Sequence, residues 1–374
     1  MGELREQMQH ELVVLRAIAR CRTAALGGHV EACETCGAEC ISYNSCRNRH
    51  CPQCQGAARA KWLAAEQALL LPVPYFHLVF TLPHQLNPLL RVNHRALYGL
   101  VFQAAAQTLQ AFAHDPTHLG AELGITAVLH TWGQTLTEHV HVHCIVTGGG
   151  LSAQGTQWRP SRRRFLFAVQ ALSRVFRGKY LAGLSRLQAQ RRLRFVGASA
   201  VLAEERTWGA FLQQLHRRPW VVYSKPPFGG PAQALKYLSR YTHRVAVSNA
   251  RLVCVGDGVV RFRYKDYAAG ATTKVRELRA EEFLRRFLLP VVPPHFVRIR
   301  HFGLLANRRR QDKLTRCRQL LAVAAAAATS LLPTKNLETP TTCAENASPA
   351  LCPACGVGRL RIIEVLAPQR GIPP

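Results

Sequence analysis

The chain has 374 residues, enough for two or three domains, and its hydrophobic content of 48% is ordinary for a globular protein. Its 49 Lys and Arg residues against 21 Asp and Glu residues give a formal net charge of +28 with histidine neutral. Solubility needs only a few net charges, so it does not explain an excess of this size. We predict a surface for nucleic acid, with a membrane surface as the weaker alternative. Basic clusters at 161–164, 216–218 and 307–310 are spread along the chain, which argues against a disordered basic arm.

The first residues, MGELREQMQHELVVLRAIAR, are charged throughout and predict an amphipathic helix rather than a secretory signal. The chain has 13 cysteines. Without a signal peptide, these cysteines indicate metal binding in a reducing cytoplasm rather than disulfides. We therefore expect a cytoplasmic protein with no membrane-spanning segment.

A zinc-binding domain is predicted over residues 1–65. Cys33 and Cys36 form one CxxC pair, Cys51 and Cys54 form another, and 14 residues separate the two pairs. Paired thiolates at this separation can close a tetrahedral zinc site, and four thiolates leave no open position for water, so the zinc is predicted to be structural.

Further cysteines and histidines leave additional zinc sites open. The candidate ligands of a second site are Cys21, His29, Cys46 and His50. Cys40 is interpreted as a small buried hydrophobe. Near the other end of the chain, Cys352 and Cys355 offer half a site, which Cys343 and a distant partner could complete.

A catalytic domain over residues 72–318 is predicted from strands and helices in mixed order. The predicted elements are a strand at 72–83, a helix at about 94–114, a hairpin over 124–149, a helix at 167–187, a strand at 220–228, a helical stretch at 229–245 and a hairpin at 251–266. An Ala-rich helix and linker follow at 319–350, and a small CxxC-containing tail occupies 351–374. This order predicts an α+β fold with a mainly antiparallel sheet flanked by helices.

Three histidines lie at alternate positions of one predicted strand. His139, His141 and His143 are separated by Val140 and Val142, which is the two-residue period of a strand with one face in the core. All three imidazoles therefore project from the same face. Two imidazoles so placed can share one divalent metal ion, although a single such histidine is more often structural.

Two tyrosines, Tyr237 and Tyr241, are four residues apart and on a helix would share a face. They could be core aromatics, but phosphate-binding donors surround them. A tyrosine next to a metal-bound phosphate can act as a covalent nucleophile. The residues predicted to bind DNA are Lys236, Arg240, His243 and Arg244 here, and Arg308, Arg309 and Arg310 in a second basic cluster.

Taken together, several segments resemble the rolling-circle transposases of bacterial insertion sequences, the IS91-like family of HUH endonucleases. The resemblance covers most of the chain, and its segments are CRTAALGGH, YNSC, RHCPQC, FHLVFTLPHQLN, HTWGQ, HVHVHCIVTGGGL, YLSRYTHRVAVSN and RIRHFGLLANRRR. The family usually has proline between the first two histidines, where this chain has Val140. That departure is benign for strand pairing and concerns only the orientation of His139.

The resemblance implies an HUH-type catalytic domain in a transposase that nicks and rejoins single-stranded DNA. It implies Mg²⁺ or Mn²⁺ on His141 and His143, and Tyr237 and Tyr241 as nucleophiles that form a 5′-phosphotyrosine intermediate. Candidate third metal ligands are His130 on the neighbouring strand, Glu138 and His139. The expected partner is a single-stranded element end with a hairpin, in the bacterial nucleoid.

Two alternatives remain open on the sequence alone. A plasmid-type replication initiator or relaxase would use the same metal and tyrosine chemistry. A zinc-dependent DNA-binding regulator would use the histidines and tyrosines only as structural residues.

Overall fold

The computed structural model describes residues 2–162, 164–228, 233, 247–266, 269–329 and 351–369. Every pairing between the named strands of these residues is antiparallel, and the strands form three sheets. Helices flank the largest sheet. The fold is therefore α+β with a mainly antiparallel arrangement, as the sequence predicted.

The elements have the following bounds. The helices of the described chain are α1 Gly2–Ala19, α2 Gln55–Gln67, α3 Asn87–Leu90, α4 His94–His114, α5 Val169–Ala189, α6 Glu205–Arg217, α7 Ala280–Leu288 and α8 Arg310–Thr329. The strands are β1 Gly28–Cys33, β2 Glu39–Tyr43, β3 Tyr75–Thr81, β4 Ala121–Trp132, β5 Glu138–Ser152, β6 Trp158–Pro160, β7 Val222–Phe228, β8 Leu252–Gly256, β9 Val259–Asp266, β10 Thr272–Arg279, β11 Ile299–Gly303 and β12 Leu360–Leu366. Among the described helices, none is both long and apolar enough to cross a membrane.

The central sheet has the strand order β11-β4-β5-β3-β7, and β6 pairs with β5 at its far end. One face of this sheet packs against α4 and α5. Alternate residues of β5, beginning with Val140 and Val142, join the same buried cluster as Phe176 and Tyr180 of α5. Because side chains alternate between the faces of a strand, the residues between them must point to the opposite face.

The opposite face of the central sheet has an apolar region at one end and a histidine-containing region at the other. At one end, Tyr75 of β3 and Ile145 of β5 pack under α8 through Leu314 and Cys317. At the other end, β5 carries histidines. From Val140 to Val146, the side of β5 that faces α4 and α5 is apolar, whereas the other side carries histidines at one end and Ile145 beyond them.

The two smaller sheets are built from different parts of the chain. The order β12-β1-β2 joins the last described strand to the cysteine-rich N-terminal region. The order β10-β9-β8 forms a second unit, which packs on the β4–β5 hairpin through Phe262, Leu278 and Trp132. Arg251 reinforces that contact because its guanidinium donates a hydrogen bond to the carbonyl of Gln134, at 2.6 Å.

Most of the predicted elements are confirmed within two or three residues, including β3, α4, the β4–β5 hairpin, α5, β7 and the hairpin of β8 and β9. The Ala-rich helix differs from its prediction: α8 begins at Arg310 rather than near 319, because the preceding charged residues continue the same helix. The predicted helix at 229–245 lies outside the described residues, apart from Gln233.

Candidate active site

Three histidines from two neighbouring strands meet on the face of the central sheet away from α4 and α5. His130 of β4 lies directly opposite His141 of β5 in the antiparallel register, and His143 is two residues further along β5. Directly opposed residues and residues two apart are the nearest neighbours on one face of a sheet. The backbone register therefore brings these three side chains together.

The three imidazoles converge on one point. Their ring centroids are 5.3 Å apart for His130 and His141, 4.6 Å for His130 and His143, and 4.9 Å for His141 and His143. One ring nitrogen from each lies within 4.8 Å of the others, and all three residues are buried. Three nitrogen donors at this separation can share one divalent cation, and Mn²⁺ suits nitrogen ligands better than Mg²⁺ does.

Hydrogen bonds at the second ring nitrogen orient the two histidines of β5. His141 Nδ1 lies 2.9 Å from the carbonyl of His139. A carbonyl can only accept, so His141 Nδ1 carries the proton and Nε2 keeps its lone pair for a metal. His143 Nδ1 lies 2.9 Å from Nε2 of His77. Donation from His143 to His77 would present His143 Nε2 in the same way.

His77 is a buried histidine of β3 that the sequence analysis missed. Its ring stacks on that of His143, with centroids 5.1 Å apart and planes 12° apart. Burial, assisted by Lys225, lowers the pKa of His77 to about 3, so this imidazole is neutral and can accept a hydrogen bond. The sequence did contain a signal for this residue. His77 lies between the apolar residues Phe76 and Leu78 of a predicted strand, so alternation places its side chain on the face opposite the core.

The other two candidate ligands lie outside this cluster. His139 has its ring 4.8 Å from that of His141 and 5.3 Å from that of His84, and burial lowers its pKa. Glu138 points to the other side of the strand, where its carboxylate accepts a hydrogen bond from Arg91 Nε at 2.7 Å. Burial raises the pKa of Glu138, and the Arg91 guanidinium opposes that shift. Of the three candidates, His130 has the geometry of a third ligand.

The histidine cluster opens into a cleft of about 430 Å³ between the central sheet and the sheet of β8 to β10. Arg251 and Lys265 bring positive charge to its wall, and Tyr264 brings a phenol. Such a lining suits an anionic chain. The full lining comprises His130, Trp132, Gly133, Gln134, Thr135, His139, His141, His143, Arg251, Tyr264, Lys265 and Asp266.

Several predicted site residues cannot be compared with this cleft. The tyrosines and basic residues that lie outside the described part of the chain are Lys236, Tyr237, Arg240, Tyr241, His243 and Arg244. Arg308 and Arg309 are exposed and Arg310 is half-buried, at the start of α8. Arg309 lines a separate cleft of about 620 Å³ at the opposite end of the β4–β5 hairpin. The structure does not bring this basic cluster to the histidines.

Eight of the cysteines in the described part of the chain form two groups of four, but not in the predicted grouping. Cys51 and Cys54 lie with Cys21 and Cys46, whereas the other two thiols lie elsewhere. The prediction that Cys33, Cys36, Cys51 and Cys54 close one site is therefore wrong. The reason is topological, because Cys33 ends β1 and Cys36 follows it, while Cys51 and Cys54 precede α2 and pack against the end of α1.

The remaining zinc candidates are corrected in the same way. His29 lies 3.6 Å from Glu31 and His50 is buried, but neither belongs to either group of four. The predicted second set thus keeps Cys21 and Cys46 and exchanges its histidines for Cys51 and Cys54. Cys40 is half-buried at 3.8 Å from Glu31, and Cys343 lies outside the described residues.

Four thiols fit a tetrahedral zinc ion by number and type. In the group of Cys21, Cys46, Cys51 and Cys54, the Sγ atoms of Cys46 and Cys54 are 3.7 Å apart. Backbone N–H groups also point at the sulfurs, as from Cys46 to Cys21 at 3.4 Å and from Asn48 to Cys46 at 3.4 Å. Such donors stabilise thiolates, which is the form that binds metal.

Comparisons with known proteins agree with this arrangement. Residues 124–313 match the family described as "Putative transposase", and residues 3–82 match the "Transposase zinc-binding domain" of the IS91 type. These two matches, to a zinc-binding domain of transposases and to a transposase family, define the class of the protein as a transposase. No solved structure matches the chain significantly.

Two curated relatives support the assignment. The chain is 48% identical over 360 residues to "Putative transposase y4qJ" of Sinorhizobium fredii, covering 96% of this chain and 90% of the relative. It is 30% identical over 308 residues to "Transposase for insertion sequence element IS801" of Pseudomonas savastanoi pv. phaseolicola, covering 80% of this chain and 71% of the relative. The chain belongs to the IS91 family of transposases.

Proposed function

We propose that this transposase nicks and rejoins single-stranded DNA at the ends of its insertion sequence, with a tyrosine as the nucleophile. The observation that carries the proposal is the convergence of His130, His141 and His143 in a cleft with a basic wall. A structural role would not require three imidazoles within 4.8 Å of one another, because apolar side chains pack a sheet face better.

The three histidines would hold a divalent cation, Mn²⁺ or Mg²⁺. When bound, the cation would polarise the scissile phosphodiester and stabilise the negative charge that develops on its oxygens. Neighbouring residues orient two of the three histidine ligands. The carbonyl of His139 and the ring of His77 orient the second nitrogens of His141 and His143, so both imidazoles enter the reaction already aligned.

Tyr237 and Tyr241 are the proposed nucleophiles. Strand β7 of the central sheet ends at Phe228, and Val247, the first described residue after Gln233, packs in the same buried cluster as Trp132. Trp132 in turn stacks on His130, with ring centroids 4.7 Å apart. Tyr241 precedes Val247 by six residues in the sequence, and this closeness along the chain to a residue that packs beside the cleft supports its assignment as a nucleophile.

The proposed reaction conserves phosphodiester bonds. The phenol oxygen of a tyrosine forms a bond to phosphorus while the bond to the 3′ oxygen breaks. The products are a 5′-phosphotyrosine and a 3′-hydroxyl, and the proton lost by the phenol balances the proton gained by the hydroxyl. Attack by another 3′-hydroxyl reverses these steps, so rejoining needs no nucleotide cofactor. A second tyrosine allows a second cleavage before the first end is released.

The cleft walls suit a single DNA strand. Lys265 is exposed on β9, and Arg251 is half-buried immediately before β8, so both belong to the unit that faces the histidines across the cleft. Each phosphate neutralised by such a residue should add about 0.7 to the slope of log affinity against log salt. The name of the relative at 30% identity, which includes an insertion sequence element, supports element ends as the substrate.

A covalent-adduct assay tests the proposal. The protein is incubated with Mn²⁺ and a single-stranded oligonucleotide that carries an element end, and adducts are separated on a denaturing gel. We expect an adduct with wild type and with the exposed control Tyr223→Phe, and none with the double variant Tyr237→Phe and Tyr241→Phe. An adduct that survives the double variant removes both assigned nucleophiles. If Tyr264→Phe then abolishes it, the nucleophile is the tyrosine of the cleft wall.

The same assay separates the alternatives. A DNA-binding regulator would form no adduct, and His141→Ala with His143→Ala would leave all its activities unchanged. A replication initiator or relaxase would form the adduct at a plasmid origin rather than at an element end. An added oligonucleotide with a free 3′-hydroxyl measures the joining step.

A further inference from the structure

Four thiols from the two ends of the chain meet in a second group. Cys33 Sγ lies 3.7 Å from Cys355 Sγ, and Cys36 Sγ lies 3.7 Å from Cys352 Sγ. All four sulfurs lie within 4.8 Å of one another. Zinc bound tetrahedrally by thiolates at about 2.3 Å places its sulfurs about 3.8 Å apart, which matches these distances. None of the four cysteines is in a disulfide.

Backbone N–H groups point at three of the four sulfurs. The N–H groups of Thr35 and Cys36 point at Cys33 Sγ at 3.4 and 3.5 Å. On the C-terminal side, the N–H of Ala354 points at Cys352 Sγ at 3.4 Å, and that of Gly358 at Cys355 Sγ at 3.3 Å. Two equivalent turns therefore face each other, each with N–H donors that stabilise thiolate charge.

Strand pairing brings the two turns together. β12 adds to the edge of β1 in antiparallel register, with Gly28 opposite Leu366 and Cys33 opposite Leu360. Gly358 is needed for this approach, because a methyl group at that position would overlap Cys33 Sγ. The C-terminal segment is thus a third strand of the N-terminal sheet rather than a separate unit.

We propose that Cys33, Cys36, Cys352 and Cys355 bind a zinc ion that fastens the C-terminal segment 351–369 to the N-terminal domain. The matched zinc-binding domain, residues 3–82, contains only two of these four ligands. The group is also distinct from that of Cys21, Cys46, Cys51 and Cys54, which lies wholly within the N-terminal region. The zinc-binding part of this transposase therefore includes both ends of the chain, and it carries two zinc ions.

Zinc counting on the full-length protein is the first test. Native mass spectrometry should find one zinc fewer in the double variant Cys352→Ser and Cys355→Ser than in wild type. Cys40→Ser with Cys254→Ser is the matched control, because both thiols lie outside the two groups, and it should keep the wild-type count. An equal count in the first variant would overturn the proposal. A bound iron with visible thiolate absorption would overturn the assignment of zinc.

A cleavage experiment tests the fastening itself. A specific protease site is inserted between residues 341 and 342, and the cut protein is passed over a sizing column. With zinc, the C-terminal fragment should elute with the rest of the protein, and a chelator should release it. The control variant should behave like wild type, while Cys352→Ser with Cys355→Ser should lose the fragment even with zinc present. Release of the wild-type fragment in excess zinc would overturn the proposal, and neither test depends on DNA cleavage.

Discussion

His77 Nε2 lies 2.9 Å from His143 Nδ1, and the two rings are stacked between neighbouring strands of the central sheet. His77 does not reach the point where the three clustered imidazoles converge. Its contact with Nδ1 of His143 instead leaves Nε2 as the nitrogen that would bind a cation. His77 is therefore a positioning residue for the proposed metal site.

The first prediction concerns this positioning. Replacing His77 by Ala removes the hydrogen-bond partner of His143 Nδ1, so the affinity for Mn²⁺ should fall by about 10- to 100-fold. Titration calorimetry with Mn²⁺ measures the change. His77→Gln, whose amide can also form a hydrogen bond, should recover part of the affinity. The control is His94→Gln, at the start of α4, which packs on the other face of the sheet. Unchanged Mn²⁺ affinity in His77→Ala would contradict the assigned role.

A second prediction separates the candidate third ligands. His130 shares the convergence point with His141 and His143, whereas His139 lies outside it. His130→Ala should therefore weaken Mn²⁺ binding and adduct formation by at least about tenfold, since a directly bound group contributes at least as much as the groups that orient it. His139→Ala should weaken both by less. The opposite order, measured in the same calorimetric and gel assays, would make His139 the ligand.

The third prediction concerns the thiolate group within the N-terminal region. Cys46→Ser removes one of its four ligands, so this zinc should be lost and the adjoining residues of α1 and α2 should lose protection from hydrogen exchange. Exchange measured by mass spectrometry should stay slow in α4, which belongs to a different core. Cys40→Ser is the matched control. Retention of the zinc by Cys46→Ser would argue against this group as its site.

Glu138 and Arg91 give a fourth prediction. The Glu138 side chain is 7% exposed and that of Arg91 is 50% exposed. Arg91→Met leaves a buried carboxylate without its cation and should cost about 1–3 kcal/mol of unfolding free energy at pH 7.5. Burial already raises the pKa of Glu138. The charged carboxylate destabilises the variant, and protonation removes that charge. The loss of unfolding free energy should therefore be smaller at pH 5.5 than at pH 7.5.

The matched variant for this pair is Glu138→Gln. Added to Arg91→Met, it removes the unpaired charge and should restore most of the lost stability, as measured by urea unfolding. Glu138→Gln alone should leave Mn²⁺ affinity unchanged, because the carboxylate faces Arg91 and not the three histidines. A loss of metal binding in this variant would return Glu138 to the ligand set.

The fifth prediction is a pH dependence at His94. Burial lowers the pKa of His94 to about 4, below its unfolded value of 6.5. The folded state therefore favours neutral His94. Its full contribution to the free energy of unfolding is present above pH 6.5, and it is lost as the pH falls towards 4 because the unfolded state binds the proton more readily. Between pH 7.5 and 5.5 wild type should lose about 1 kcal/mol more stability than His94→Gln, allowing for partial exposure of the ring. Parallel pH profiles of the two proteins would refute this.

Local patterns in the sequence were sufficient for much of the fold. The alternation of His141 and His143 with Val140 and Val142 predicted a strand with one apolar face, and β5 has that face. The hairpin turning at Gly256, Asp257 and Gly258 was equally readable. In both cases the signal lies within a few neighbouring residues, because side chains alternate along a strand and tight turns need residues that tolerate positive φ.

The sequence did not show which cysteines group together in the folded protein. Three CxxC pairs are evident in the sequence, but they have the same local appearance, so spacing alone could not assign partners. The structure places Cys33 with Cys355, which is 322 residues away. Only the pairing of β1 with β12 brings these residues together, and no local periodicity encodes it.

The sequence by itself determined which chemical groups the transposase has: paired thiols, alternating imidazoles, a tyrosine pair and a large excess of cations. Tertiary structure alone decided which of them meet, and it selected His130 as the third imidazole, placed His77 behind His143 and divided the thiols into two groups. The physical reason is that strand register and sheet order set distances between residues far apart in the chain. Those distances follow from how the whole chain buries its apolar faces, and a single segment does not contain that information.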